Sequence, residues 1–391
     1  MTGIALPAPD RNAIMLSRLR PSSLRNGSQT LTSRLLSNDP SLTHLKLCRK
    51  PTSYFGSELD GFLNALHKNT VVHTVEFSWK FLTAVSVTDR ILLMKSIGGM
   101  TALEKLMMEV VGPCEILVAA LEQAKHLKLL WIGALRISSH RDVFMLERAL
   151  RQNTSIIHIN LYNIRLQVQG NYRIDQGRVW FEEAELTEKV NLNPLLSTIA
   201  QIQSLEKLFL ELQLNADKME RIDKKVVESL CQKPRKALMI SSCDLNDKDA
   251  QVLADEMARS NTCCLEYLNL GRGNRITDCG WEALATMMEY NYTITEFFVP
   301  SESTDRSGLM QVNELPARRY AKNASATPGP SDRIREKLGL YVRLNQKGRK
   351  NLLCGNICVT RQSWLSFLAL DTNDLDVIFY TLQAAPSLFT G

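Results

Sequence analysis

Large apolar residues recur along this chain in a short pattern, L-x-x-L-x-L, with polar or variable positions between them. Copies begin at Leu42, Val72, Leu103, Leu127, Ile156, Leu205, Leu265 and Ile294. A degenerate copy begins at Arg235, where a charged residue holds the first apolar place ahead of Leu238 and Ile240. The starts at 42, 72, 103, 127, 156, 205, 235, 265 and 294 are 30, 31, 24, 29, 49, 30, 30 and 29 residues apart. Such a beat marks one repeat array, because independent domains would not keep it.

Between these short strands the apolar residues change to helical spacing. The groups are Leu59, Phe62, Leu63 and Leu66; Phe144, Leu146 and Leu150; Val226, Val227 and Leu230; Leu253 and Met257; Leu284, Met287 and Met288. Asn69-Thr70, Asn153-Thr154 and Asn261-Thr262 give several helices a polar stop just before the next strand. Each unit is then one strand, a turn and one helix, and no unit can bury both faces alone. Stacking the copies buries a ladder of side chains, each worth about 1.5–3 kcal/mol. Right-handed strand-to-helix crossovers make the sheet parallel and the array curved, with the strands on the concave side. The predicted class is α/β: a right-handed solenoid with a parallel concave sheet, outer helices and a helical C-terminal tail.

The run Leu238-Met239-Ile240-Ser241-Ser242-Cys243-Asp244-Leu245 resembles the L-x-L-x-x-C/N-x-L signature of ribonuclease-inhibitor-type leucine-rich repeats. Leu268-Asn269-Leu270, continuing through Asn274, Ile276, Thr277, Asp278, Gly280 and Leu284, is similar, with one extra residue before the asparagine. The resemblance spans residues 40 to 300. It implies a horseshoe of strand–helix repeats that binds proteins without catalysis or cofactor. Departures are the 24-residue step, Lys50 where asparagine or cysteine belongs, and an insertion at 165–190 carrying Tyr172, Trp180 and Phe181. The register near 127, 235 and 165–190 is left open by these departures.

Composition narrows the setting. The 391 residues are 45% hydrophobic and 23% charged, as in ordinary globular chains. No run of about 18 apolar residues offers a membrane span. Nine cysteines, an odd number scattered from Cys48 to Cys358, read as reduced thiols, placing the chain in the cytoplasm with the nucleus as an alternative. Sequons at Asn26, Asn153, Asn291 and Asn323 carry no meaning without secretion. The net charge of +6 equals the excess within 301–350, where eleven Lys and Arg face five acids. That segment is the candidate for a weak contact with an anionic partner, against the reading of a solvated linker and cap helix.

Four regions are expected: 1–37, a basic N-terminal segment or partial cap; 38–300, the array of nine units; 301–331, a basic linker; and 332–391, a helical tail. Residues 10–36 also have the composition of an organellar transit peptide. In the tail, Ile334, Leu338, Tyr341 and Leu344, then Leu375, Ile378, Phe379 and Leu382, have helical spacing around Trp364, Leu365, Phe367 and Leu368. Such a tail is expected to fold onto the end or face of the array.

Chemistry-bearing motifs give little. Gly271 and Gly273 lack the third glycine of a dinucleotide site and read as turn residues. Cys354 and Cys358 offer two thiolates where structural zinc wants four ligands, and the adjacent Cys263-Cys264 reads as a strand entry. Of the six histidines, His44 and His158 should point outward from the strands and His73 sits early in its repeat. No catalytic residue, cofactor or metal is expected.

In each unit the third and fifth positions should point away from the core. These include Met107, Leu129, Trp131, Phe209, Met239, Tyr267 and Phe298, an apolar set on a surface that is normally polar. They are the candidate partner-binding residues on the concave face. The competing reading has the tail or the 165–190 insertion covering them. The expected function is a non-enzymatic protein-binding module or adaptor that acts as a monomer on a protein partner of unstated identity. Alternatives are a small-GTPase regulator resembling the repeat-type activators of Ran, which carry an acidic stretch where this chain is basic, and a ubiquitin-ligase substrate adaptor.

Overall fold

The computed structural model describes residues 30–49, 58–109, 114–166, 172–175, 178–181, 189–213, 220–259, 264–271, 273–300, 309–311, 331–346, 349 and 383. In chain order the first strands are β1 (His44–Leu47), β2 (Thr74–Phe77), β3 (Lys105–Met108), β4 (Leu129–Ile132), β5 (Leu135–Ile137) and β6 (His158–Leu166). They are followed by β7 (Tyr172–Asp175), β8 (Arg178–Phe181), β9 (Lys207–Gln213), β10 (Ala237–Ser241), β11 (Tyr267–Asn269), β12 (Glu296–Pro300) and β13 (Leu309–Gln311). Nine of them lie side by side in parallel, in the order β1-β2-β3-β4-β6-β9-β10-β11-β12, and the sheet stays open. Antiparallel β13 adds to the β12 edge, and β5 pairs with the outer half of β6. Among the described residues, β1 has a strand partner on one side only.

The helices are α1 (Leu31–Leu36), α2 (Leu59–Lys68), α3 (Trp79–Thr83), α4 (Val87–Gly98), α5 (Cys114–Leu121) and α6 (His140–Arg151). Then come α7 (Asn193–Gln201), α8 (Lys224–Gln232), α9 (Asp247–Arg259), α10 (Asp278–Tyr290) and α11 (Asp332–Gln346). Serine or threonine side chains cap several starts: Ser78, Ser86, Ser139 and Thr277 each accept a backbone N–H from the first turn.

The strand register matches the sequence beat. Leu45, Val75, Leu106, Leu130, Ile159, Leu208, Leu238, Leu268 and Phe297 pair across successive strands as one row, each at most 2% exposed. The open registers near 127 and 235 therefore follow the motif. The long step is absorbed in β6, which shifts register between Leu161 and Ile164, and in the separate β7–β8 hairpin within the insertion. The short step is served by α5, eight residues of which only Glu115 is exposed. It packs against α4, where a Cβ on Gly98 would collide with the Ala120 carbonyl oxygen.

At several junctions a buried polar side chain closes one unit onto its neighbour. Asn153 donates to the Ala124 carbonyl at 2.6 Å and accepts from the Ser155 and Ile156 N–H groups. Asn69 does the same with Leu35 behind it and Val71 and Val72 ahead. Asn274 donates to the Ile240 and Leu270 carbonyls and accepts from Cys243 and Leu245. In the degenerate unit Arg235 has this task, donating to Leu230 and Ala200 carbonyls from a site only 2% exposed. The sequons at Asn153 and Asn291 are thus buried parts of the fold.

Both ends of the core are covered. Leu35 of α1 joins it at one end, and Ile334, Leu338 and Val342 of α11 join it at the other. Three expectations change here. Phe144, expected on the apolar side of its helix with Leu146 and Leu150, is 62% exposed, because the buried stripe of α6 runs through Val143, Leu146, Ala149 and Leu150. The 301–331 stretch, expected as a linker, contributes β13. The basic excess of 301–350 is partly internal: Arg335 and Arg349 are buried, and Lys337 bridges Glu282 and Glu289 at 3.1 Å each. The tail beyond 349 (residue 383 aside), the 1–29 segment, Lys50, Asn261, Cys263, Cys354 and Cys358 lie outside the described residues. No described helix is long and apolar enough to cross a membrane.

Candidate binding surface on the sheet face opposite the described helices

Strand pleating sends alternate residues to opposite faces, and the pairing register sorts them into rows. The motif's fifth positions form one continuous row across the sheet: Lys46, Glu76, Met107, Trp131, Asn160, Phe209, Met239, Asn269 and Phe298. The third positions form a second: His44, Thr74, Lys105, Leu129, His158, Lys207, Ala237, Tyr267 and Glu296. All seven candidate residues stand in these two rows, on the face opposite the helices.

The face changes character along the sheet. At β1 and β2 it is charged, with Glu76 taking Lys46 at 2.6 Å and His44 at 3.5 Å. From β3 onward it is mainly apolar. Aromatic rings then touch from strand to strand: Trp131 meets Tyr162 edge-on at 6.3 Å, and His158 meets Phe209 at 5.2 Å. Phe209 meets Tyr267 at 5.6 Å, and Tyr267 meets Phe298 at 5.2 Å. Ala237, Met239, Tyr267 and Phe298 form a second apolar cluster, separate from the main core, with Tyr162 and Phe209 against it.

Burial corrects one expectation. Met107, Leu129, Trp131 and Phe209 are half-buried, but Met239, Tyr267 and Phe298 are only 4%, 7% and 7% exposed. The outward set is therefore open toward β3 and closed toward β12. Tyr162 was not found from the motif, which ends at Leu161; the continuing alternation His158, Asn160, Tyr162 was the available signal.

Polar groups are embedded among the rings. Asn269 donates to the Tyr267 hydroxyl at 3.1 Å and accepts from the Gly271 N–H at 2.9 Å. Burial pushes the Tyr267 hydroxyl up to about 12 and, with Lys207 adding to it, pulls the His158 imidazole down to about 4. Burial, then nearby Glu266, raises the Glu296 carboxyl. His158 Nε2, Asn160 Oδ1 and Ser241 Oγ are buried without a hydrogen-bond partner among the described residues.

The turns that leave the strands use left-handed backbone. Gly273 has φ +75°, and a Cβ there would meet Ser242 Oγ at 2.6 Å, so glycine is required on both counts. His73 is used structurally, its Nδ1 lying 3.0 Å from the Ala102 carbonyl. Cys114 and Cys243 are buried thiols whose pKa values burial raises, which leaves them unreactive.

No known family matches the chain, and no curated protein sequence matches it. Among solved structures, the C-terminal domain of tropomodulin from Caenorhabditis elegans aligns at 11% identity over 34% of this chain and 80% of that chain, with a TM-score of 0.24.

Proposed function

We propose that this chain is a leucine-rich-repeat protein of the ribonuclease-inhibitor-like kind whose strand face binds another protein, and that it catalyses no reaction of its own. The repeat assignment is supported by the Leu238–Leu245 run, in which Cys243 and Leu245 are buried and Cys243 is held by the asparagine of the next unit. The observation that carries the binding role is the half-buried group Met107, Leu129, Trp131 and Phe209 on a face that water would ordinarily favour as polar. A contiguous apolar surface of this kind marks interaction sites, and tryptophan is favoured there as an anchor. Lys105 and Lys207 stand beside it in the adjoining row and give it a polar rim.

Substituting Trp131→Ser and Phe209→Ser tests the role, with partner capture from native extract and thermal melting measured on the same samples. Capture should fall about thirtyfold, as for loss of an interface anchor worth about 2 kcal/mol. A lowered melting point with undiminished capture would refute the intermolecular role.

A further inference from the structure

Burial of the strand face increases toward β12, and the chain leaves its last described helix beside that same strand. Asn345 donates to the Asn291 and Ile294 carbonyls, and Gln346 donates to the Thr295 carbonyl, one residue before β12 begins. Arg349 is then fixed between Tyr292 and Tyr341, at 4.7 Å from each ring. Arg349 therefore lies beside the turn that leads into β12. Residues 350–391 number forty-two, as 391 minus 350 plus one. Extended, such a segment reaches on the order of 140 Å, and as helix about 60 Å. Nine strands at about 4.8 Å spacing span only about 40 Å.

Charge points the same way. Residues 362–391 contain Asp371, Asp374 and Asp376 and no Lys or Arg, among apolar residues that include Trp364, Leu375 and Phe379. The open part of the strand face groups Met107, Leu129, Trp131 and Phe209 with Lys105 and Lys207, which form no ion pair among the described residues, while Glu76 is taken by Lys46 and Glu211 follows Phe209 on the same alternation. An apolar segment tethered at the closed edge, whose only charged residues are three aspartates, offers carboxylates to those two lysines.

We infer that residues 362–391 dock on this face, with apolar side chains against Trp131 and Phe209 and aspartates toward Lys105 and Lys207, and so compete with the protein partner. The competition rests on the partner-binding reading above; the docking does not. The tail then regulates the site by occupying it.

The test uses the full chain with the photo-reactive residue p-benzoylphenylalanine in place of Phe209, and of the exposed Phe144 as control. Docking predicts cross-links from position 209 to peptides of 362–391 within the same monomer, and none from position 144. Asp374→Lys with Asp376→Lys should lower the yield about threefold to tenfold, the scale of two exposed ion pairs, and Lys105→Glu with Lys207→Glu should restore it. The inference is overturned by cross-links only to other segments, only to a second copy, or to nothing, and equally by a yield that ignores the charge reversal. Should the Phe209 variant misfold, Leu129 in the adjoining row carries the same probe. A cross-link with unaltered capture in the charge-reversed chain ends the competition but not the docking. Capture lost on Trp131→Ser with no cross-link ends the docking but not the partner reading.

Discussion

His158 shows how a single residue records its surroundings. Folding moves its imidazole from 6.5 down to about 4, chiefly by burial and secondarily by Lys207. The unfolded chain therefore binds more protons between those values, so the folded state loses stability as pH falls through 6.5 and stops losing it below about 4. The stabilisation present above pH 6.5 should amount to about 1–3 kcal/mol, and His158→Gln should flatten that part of the curve in urea denaturation at stepped pH. Arg235 is the second case. Its sequence position called for an apolar residue, and the structure does bury it, but as the donor to two carbonyls. Burial lowers its pKa to about 10, so it keeps its charge at neutral pH. Arg235→Ala leaves both carbonyls without that donor and opens a cavity, and should cost about 3 kcal/mol by chemical denaturation. A cost under about 1 kcal/mol would show that water replaces the guanidinium without loss.

At the level of elements, strands were more legible than helices. A strand alternates with period two, so one motif fixes which side chains face the core, and the row from Leu45 to Phe297 followed directly. Helical stripes are broader, and Val143 and Phe144 fit the edge of the same stripe equally well in sequence, so spacing alone does not choose between them. The asparagine stops were visible as boundaries, but their reach to the preceding unit was not, since Asn153 and Ala124 are 29 residues apart. Asn153→Ala removes one donor and three acceptor contacts at the junction of α6 and β6. It should destabilise the chain by about 2–4 kcal/mol, and hydrogen exchange should rise first in α6 and β6; uniform exchange across the array would contradict a local clasp.

For the whole molecule, direction of side chains was legible and exposure was not. Alternation places Met239, Tyr267 and Phe298 on the face opposite the described helices, yet says nothing about what shields them. Net charge was similarly blind, because a count cannot tell a solvated arginine from Arg349, which is wholly buried and donates to the Met288 and Asn291 carbonyls. That arginine ties the last described turn to the end of α10 through two hydrogen bonds and two ring faces. Arg349→Ala should cost about 2–4 kcal/mol, and Arg349→Lys should recover only part, because an ammonium cannot keep both the fork and the stack. Equal stability of the two variants would reduce the contact to simple charge.

The reversed strand β13 has a consequence for growth. Every other neighbour of the nine-strand row runs parallel to it, so a second molecule could extend the lattice only by laying its own β1 along β12 in the same sense. That berth is filled by a strand of opposite polarity through Phe298–Gln311, Val299–Met310 and Pro300–Leu309. End-to-end polymerisation by the molecule's own spacing rule is thereby interrupted at one terminus, in the way edge strands are commonly guarded.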